Sequence, residues 1–189
     1  MTRKEQKEFR EKQILFKALE LFVIKGYSET KISDIADSLN ISIGLLFHYY
    51  KSKEQLYLEL IKIGIDGMKA PQKIEYKDPI EYFSKFLDRL FEAIDKEPWI
   101  CQMFILMARA QKQGTPDEIR ELALSVNQIE LSSKIIEEGQ KIGSIKNGNA
   151  LALSTAFWCS VQGIMEQKVA LPQLSLPEVD WIVDILRKV

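Results

Sequence analysis

The 189-residue sequence predicts an all-α protein, and three observations carry that prediction. Apolar residues recur at helical spacing along almost the whole chain. Helix starts are marked by Ser, Thr or Asp, three of them coupled to a proline and a glutamate. No stretch alternates apolar and polar residues as a half-buried strand does. The composition, 46% hydrophobic and 28% charged, is that of an ordinary soluble globular protein. No run of about 18 apolar residues is present to mark a signal or a membrane span, so a cytoplasmic protein without a membrane partner is expected.

The first helix is predicted from about Lys7 to Lys25, with Ile14, Ala18, Leu21 and Phe22 on one face and Gly26 as its stop. A second helix carries Ile32, Ile35, Ala36 and Leu39 at i, i+3, i+4 and i+7, with Thr30 placed as its cap. Asn40-Ile41-Ser42 then interrupts the pattern: Asn tolerates the left-handed conformation, and Ser42 is a strong N-cap. The third helix, Ile43 to Tyr49, turns Leu46 and Tyr50 inward and Gly44, Phe47, His48 and Tyr49 outward, with Lys53 just beyond. Ser52-Lys53-Glu54-Gln55 is a capping box opening a fourth helix, which is expected to fade near 64–67. A connection over 68–77 then divides the chain into 1–52, a linking segment 53–77, and a body 78–189.

In the body, Asp78-Pro79-Ile80-Glu81, Thr115-Pro116-Asp117-Glu118 and Ser175-Leu176-Pro177-Glu178 share one start chemistry. Proline costs little at the first helical position, and the glutamate suits the positive helix end. Helices are placed near 79–96, 98–113, 116–139, 148–170 and 177–188. In 98–110 only Gln102 and Arg109 interrupt the apolar run, so this helix should be enclosed. In 150–170, Leu153, Phe157, Val161 and Ile164 form one stripe, and Leu151, Trp158, Met165 and Val169 another. One stripe serves the chain's own core. The other, with Trp181, Ile182, Ile185 and Leu186, is expected to meet a partner. Cys101 and Cys159 lie in apolar runs and read as buried thiols.

Residues 1–53 hold ten Lys/Arg against seven Asp/Glu, whereas the remainder holds sixteen against twenty. A basic head on an acidic body fits a phosphate-binding end. Much of that excess comes from an N-terminal arm, Arg3, Lys4, Lys7, Arg10 and Lys12, which simple solvation explains equally well. More telling is the outward face of 43–49: packing alone does not account for so much aromatic and donor chemistry on two turns of helix. His48 is the single histidine, the cysteines are far apart, and neither GxGxxG nor GxxxxGK occurs. Nothing assembles a catalytic site, a metal centre or a cofactor site, so no enzyme is expected.

On these residues the head resembles the TetR family of bacterial transcriptional regulators. The elements that match are Gly26, Ile35-Ala36, Asn40-Ile41-Ser42, Gly44, Phe47-His48-Tyr49-Tyr50 and Lys53-Glu54, with a fainter echo in GQKIGSIK at 139–146. Asn40 departs from the family's turn glycine, Ile43 from a polar or basic residue, and Phe47 from a tyrosine. The resemblance implies an N-terminal three-helix DNA-binding head with a helix-turn-helix, and a C-terminal helical ligand-binding and dimerisation domain. It implies that Gly44 lets the backbone approach DNA, and that Phe47, His48 and Tyr49 face the major groove. Ile43 and Phe47 offer apolar contact to a thymine methyl. Thr30, Lys31, Ser42 and Lys53 would hold phosphates.

By the same resemblance, a homodimer built on 148–170 and 177–188 would read a pseudo-palindromic double-stranded operator as a repressor. A largely apolar small-molecule effector would release it. Phe83, Phe86, Trp99, Met103, Phe104, Met107, Phe157 and Trp158 are candidates for its pocket, with Gln102, Arg109 and Gln162 as polar candidates. An ordinary core would use the same apolar residues. A small-molecule binding protein without DNA binding, or an activator of the same family, are the alternatives.

Overall fold

The computed structural model describes residues 2–188; Met1 and Val189, the outer ends of the predicted divisions 1–52 and 78–189, lie outside the described residues. Its helices are α1 (Arg3–Lys25), α2 (Ile32–Ser38), α3 (Ile43–Tyr49), α4 (Lys53–Lys69), α5 (Pro79–Lys96), α6 (Trp99–Ala110), α7 (Asp117–Leu124), α8 (Gln128–Ile142), α9 (Ala150–Ala170) and α10 (Val179–Val183), with a 3-10 turn at Ala70–Lys73. Among the described residues the one β-type pairing is an isolated bridge between Ile145 and Arg187. The chain forms two compact units, one from the stretch up to Ile65 together with Ile105–Ser125, the other from Asp66–Phe104 and Val126 onward. A division into consecutive stretches cannot express the return of 105–125 to the first unit.

In the first unit, α1 starts at Arg3 rather than near Lys7. Thr2 and Glu5 make a reciprocal capping box: the Glu5 amide donates to Thr2 Oγ1 at 3.2 Å, and the Thr2 amide donates to the Glu5 carboxylate at 2.8 Å. That satisfies two amides at the helix start and orders the basic stretch the sequence reads as an arm. Gly26 ends α1 at φ 87°, its amide donating to the Phe22 carbonyl at 3.0 Å. Ile14, Ala18, Leu19 and Phe22 of α1 are buried, as are Ile35 and Ala36 of α2, Leu46 of α3, and Leu56, Tyr57 and Leu60 of α4. Burying an aliphatic side chain of this size contributes about 1.5–3 kcal/mol. Phe22 meets Tyr57 edge-on at 5.0 Å. From α6, Leu106, Met107 and Ala110 are buried too.

Other starts and stops differ from the sequence reading. Helix α4 continues through the 64–67 region to Lys69. The helix expected over 116–139 is broken into α7 and α8, because Asn127 opens a new helix by accepting from the amides of Ile129 and Glu130 at 3.1 and 3.3 Å. Thr115 and Ser175 do not cap; α7 and α10 begin after Pro116 and Glu178 with no side-chain cap. At Asp78 the expected chemistry is present: its carboxylate accepts from the Ile80 amide, and Glu81 accepts from the Lys77 amide, both at 2.8 Å.

The second unit has its own core, centred on Phe83, Leu87, Ile136, Phe157, Val161, Met165 and Val183. Helix α8 is tied to α9 by polar bonds as well as apolar packing: Ser154 Oγ donates to the Ile129 carbonyl at 2.8 Å, and Trp158 Nε1 donates to Ser132 Oγ at 2.9 Å. Instead of a helix over 177–188, α10 has five residues. The chain after it pairs with the α8–α9 turn, the Lys146 amide donating to the Leu186 carbonyl at 2.9 Å. Met165, Ile182 and Leu186, which the sequence assigns to a partner surface, are buried in this core. The outward face of α9 carries Ala152, Ala156, Cys159 and Gly163 instead, all exposed. Cys159 is therefore an exposed thiol, whereas Cys101 is buried, and burial pushes its thiol pKa up.

Candidate nucleic-acid interface

The first unit presents α3 on a rigid turn. After Leu39, Asn40 takes the left-handed conformation at φ 52°. The Asn40 amide donates to the Asp37 carbonyl and the Ile41 amide to the Ala36 carbonyl, both at 3.0 Å. This is a Schellman closure, in which Asn meets the left-handed requirement without glycine. Ser42 then caps α3, its Oγ accepting from the Leu45 amide at 3.1 Å.

Leu46 is fully buried and Tyr50 nearly so, and these two hold α3 to the core. The Tyr50 hydroxyl donates to the Glu11 carbonyl at 3.5 Å, and burial pushes its pKa up to about 12. What remains faces outward: Ile43 is 45% exposed, Leu45 and Phe47 each 40%, with Ser42, Gly44 and His48 also exposed and Tyr49 half-buried. His48 and Tyr49 meet edge-on at 5.4 Å. At Gly44 an added Cβ would meet nothing closer than Ser42 Oγ at 4.0 Å, so its lack of a side chain serves no internal packing. Leu45 shares this surface and was missed by sequence reasoning; its i, i+3, i+4 relation to His48 and Tyr49 was the available signal.

The expected phosphate contacts divide. Ser42 and Lys31 are exposed beside α3 and at the start of α2. Thr30 is 1% exposed, and its hydroxyl donates to the Gly26 carbonyl at 2.7 Å and, more weakly, to that of Leu21 at 3.2 Å. It secures the end of α1 and does not reach the surface. Lys53 Nζ donates to the Tyr27 carbonyl at 2.8 Å and lies 4.4 Å from the Tyr27 ring centroid. Its ammonium also donates to the Ser28 carbonyl at 3.4 Å, so it holds the α1–α2 loop first, with one of its three protons over for an outside acceptor. Next to it, the Tyr27 hydroxyl donates to Glu54 at 2.7 Å. That bond, then Glu54's own amide and Ser52, holds the Glu54 carboxyl below the usual carboxylate range.

The effector candidates are not gathered in one place. Phe83, Phe86, Phe157 and Trp158 are brought together in the second unit, with Phe83–Phe157 centroids 4.9 Å apart and Phe86–Trp158 centroids 5.1 Å apart. Met103 is buried in that unit, and Phe104 and Gln102 are half-buried. Trp99 donates its indole N–H to Glu97 at 2.8 Å, and Gln162 donates to Glu166 at 2.9 Å on an exposed face. Met107 and Arg109 belong to the first unit. Arg109 is exposed, and its guanidinium donates to the Val23 carbonyl at 2.5 Å and the Phe22 carbonyl at 3.4 Å, closing the C-terminal end of α1. A cation there answers the negative helix end, so this polar candidate has a structural partner within the first unit. A cleft of about 360 Å³ beside α9, lined by residues including Ile164, Lys168 and Leu174, contains none of the candidates. Among the described residues no cluster of His, Cys, Asp or Glu is arranged to hold a metal, and no helix is long and apolar enough to cross a membrane.

A short helix held by two buried anchors, capped on a Schellman turn and exposing apolar and donor side chains, defines a helix-turn-helix protein. Residues 14–60 match the model of the bacterial regulatory proteins of the tetR family. The transcriptional repressor KstR2 of Mycolicibacterium smegmatis is 33% identical over 89 residues, 46% of this chain and 43% of that protein. The chain spans about half the length of the curated relatives it matches at this level. Among solved structures, the MbdR regulator from Azoarcus sp. CIB superposes with TM-score 0.76 at 20% identity, covering 92% of this chain and 95% of that one. AibR, solved with isovaleryl coenzyme A and operator DNA, gives TM-score 0.68 at 18% identity over 93% and 94% of the two chains. These likenesses show a shared all-helical fold. Residues 14–60 therefore carry the DNA-binding region of the tetR family, and the chain as a whole shares the all-helical fold of the solved regulators.

Proposed function

We propose that this protein is a cytoplasmic, homodimeric transcriptional repressor that binds a pseudo-palindromic DNA operator through α3 and leaves it when a small, largely apolar molecule binds the second unit. The observation that carries the reading is the outward face of α3, where Ile43, Gly44, Phe47 and His48 are exposed while Leu46 and Tyr50 anchor the helix from within. An α-helix of this kind fits the major groove, where Phe47 and Ile43 suit thymine methyls and His48 and Tyr49 supply donors. Ser42 and Lys31 flank it as phosphate contacts, with the remaining proton of Lys53 beyond them.

Two likenesses support the regulatory part: KstR2 is a repressor, and the AibR structure holds an acyl thioester together with operator DNA. In the second unit an effector would have to part the rings of Phe83, Phe86, Phe157 and Trp158, so its apolar part replaces their contacts. Helix α4 is covalently continuous from the first unit into the second and is the natural carrier of the response. Release follows only if the effector binds the DNA-competent and DNA-free conformations with different affinity.

The test is selection of duplexes by the wild-type protein from fragments of the source genome, followed by titration of the enriched duplex. His48→Ala with Tyr49→Ala removes groups that carry no structural hydrogen bond among the described residues. It should weaken specific binding on the order of a thousandfold or more in a dimer, where four interactions are removed at about 1–3 kcal/mol each. Unchanged affinity in that variant would remove α3 as the reading helix.

A further inference from the structure

Beside α3 lies a second feature that the DNA-reading face does not absorb. The first two turns of α1 and the outer side of α3 enclose a cleft of about 620 Å³ in the first unit, roughly twenty water volumes. Its α1 wall carries Arg3, Gln6, Lys7 and Arg10, at i, i+3, i+4 and i+7, which is one face of a helix. Its α3 wall is Leu45, His48 and Tyr49; Phe9 joins Leu45 as the apolar part of the lining, and no acidic residue lines it. Among the described residues neither Arg3 nor Arg10 has an ion-pair partner, and the pair Lys7 makes with Glu11, at 3.7 Å, is exposed and weak. The capping box at Thr2 and Glu5 fixes these cations on an ordered helix.

We infer that this cleft is a channel for the sugar-phosphate backbone, in which Arg3, Lys7 and Arg10 take successive phosphates of a DNA strand running beside the groove read by α3. The inference rests on the reading of α3 as the DNA-contacting helix and extends it. Arg3 and Arg10 lie about 10 Å apart along the helix axis. A DNA strand presents a regular row of phosphate charges, and three cations spread along one helix face can meet a short run of them. Charge complementarity and continuity with His48 and Tyr49, which line both surfaces, name the occupant. The size of the cleft favours a run of backbone over a single anion. Interactions of this kind add affinity without sequence information.

The experiment uses the full-length protein and a duplex that the wild-type protein enriches from a randomised pool. Binding of that duplex and of an unrelated one is measured across a series of salt concentrations. In the Arg3→Gln/Lys7→Gln/Arg10→Gln variant, both affinities should fall by a similar factor of roughly tenfold or more, leaving their ratio unchanged. The slope of log affinity against log salt should shrink by about 0.9 for each phosphate no longer neutralised, so by roughly 5 for the six cations of a dimer. The charge-preserving Arg3→Lys/Arg10→Lys variant should keep the wild-type slope, and circular dichroism should show both variants folded. If the wild-type protein enriches a duplex and the neutralised variant keeps its affinity and slope, the channel is overturned while α3 stands. A loss confined to the enriched duplex would show base reading and overturn the backbone role. If the wild-type protein enriches nothing, the reading beneath both fails.

Discussion

Tyr27 joins three parts of the candidate interface through one side chain. Its carbonyl and ring hold Lys53, and its hydroxyl donates to Glu54 at the start of α4. Burial first and then the Glu54 carboxylate raise the tyrosine's own pKa, while the same hydrogen bond is the main cause of the lowered Glu54 pKa. A carboxylate lowered in the folded state contributes stability that is present above its unfolded pKa of about 4.3 and is lost as pH falls through the lowered value. Tyr27→Phe keeps the ring under Lys53 and against Phe22 and Tyr57 but removes the donor. The Glu54 carboxyl should then titrate at higher pH, and the acid limb of unfolding should move up with it. A carbon-detected NMR titration of the Glu54 side chain checks this; an unmoved Glu54 would mean that its own amide and Ser52 hold it without Tyr27.

Two glycines in helix interiors separate local propensity from packing. Gly67, in α4, is exposed, and an added Cβ would meet nothing within 4 Å. Gly139, in α8, is buried, and a Cβ there would lie 2.5 Å from Ile145 Cδ1, 2.6 Å from Cγ1 and 3.1 Å from Cβ. Ile145 cannot yield easily, since it is fully buried and its backbone is pinned by the bridge to Arg187. Gly67→Ala should therefore stabilise by up to about 1 kcal/mol. Gly139→Ala should destabilise by about 1–3 kcal/mol, overpacking outweighing the same propensity gain. Urea unfolding of the two variants decides it, and equal shifts would show that Ile145 adapts. The contrast also marks what a sequence makes legible. The caps at Ser42, Ser52 and Asp78 and the left-handed Asn40 depend on neighbours a few residues away, and each was readable. The shortness of α10 depends on pairing with 144–146, and the burial of Thr30 and the partner of Arg109 depend on which distant helix end each one meets. Helical spacing identified the exposed face of α3 for the same local reason, whereas the aromatic residues of the body fit a pocket and a core equally well until their ring contacts are known.

For the whole molecule, the proposed homodimer has the most consequence, because a two-turn helix acting as the proposed DNA reader would gain little affinity alone. Two linked copies convert the second half-site into an intramolecular event. The surface is narrower than the sequence suggested. With Met165, Ile182 and Leu186 in the core, α9 offers a strip of Ala152, Ala156, Cys159 and Gly163, with Leu151 exposed beside it and Trp181 of α10 exposed at 69%. Small side chains let two helix backbones approach closely, and interaxial distance follows the residues at the interface. If this strip is where two copies meet, the wild-type protein at micromolar concentration should sediment at twice its 21.8 kDa chain mass. Gly163 is a suitable point of perturbation because a Cβ there meets nothing within 4 Å in its own chain. Gly163→Phe should leave helix content intact, since phenylalanine is no worse than glycine in a helix interior, and should yield a monomer. That monomer should bind an enriched duplex much more weakly while keeping its preference at each half-site. A wild-type monomer would remove the dimer from the proposal, and a Gly163→Phe variant that remains fully dimeric would move the interface off this face of α9.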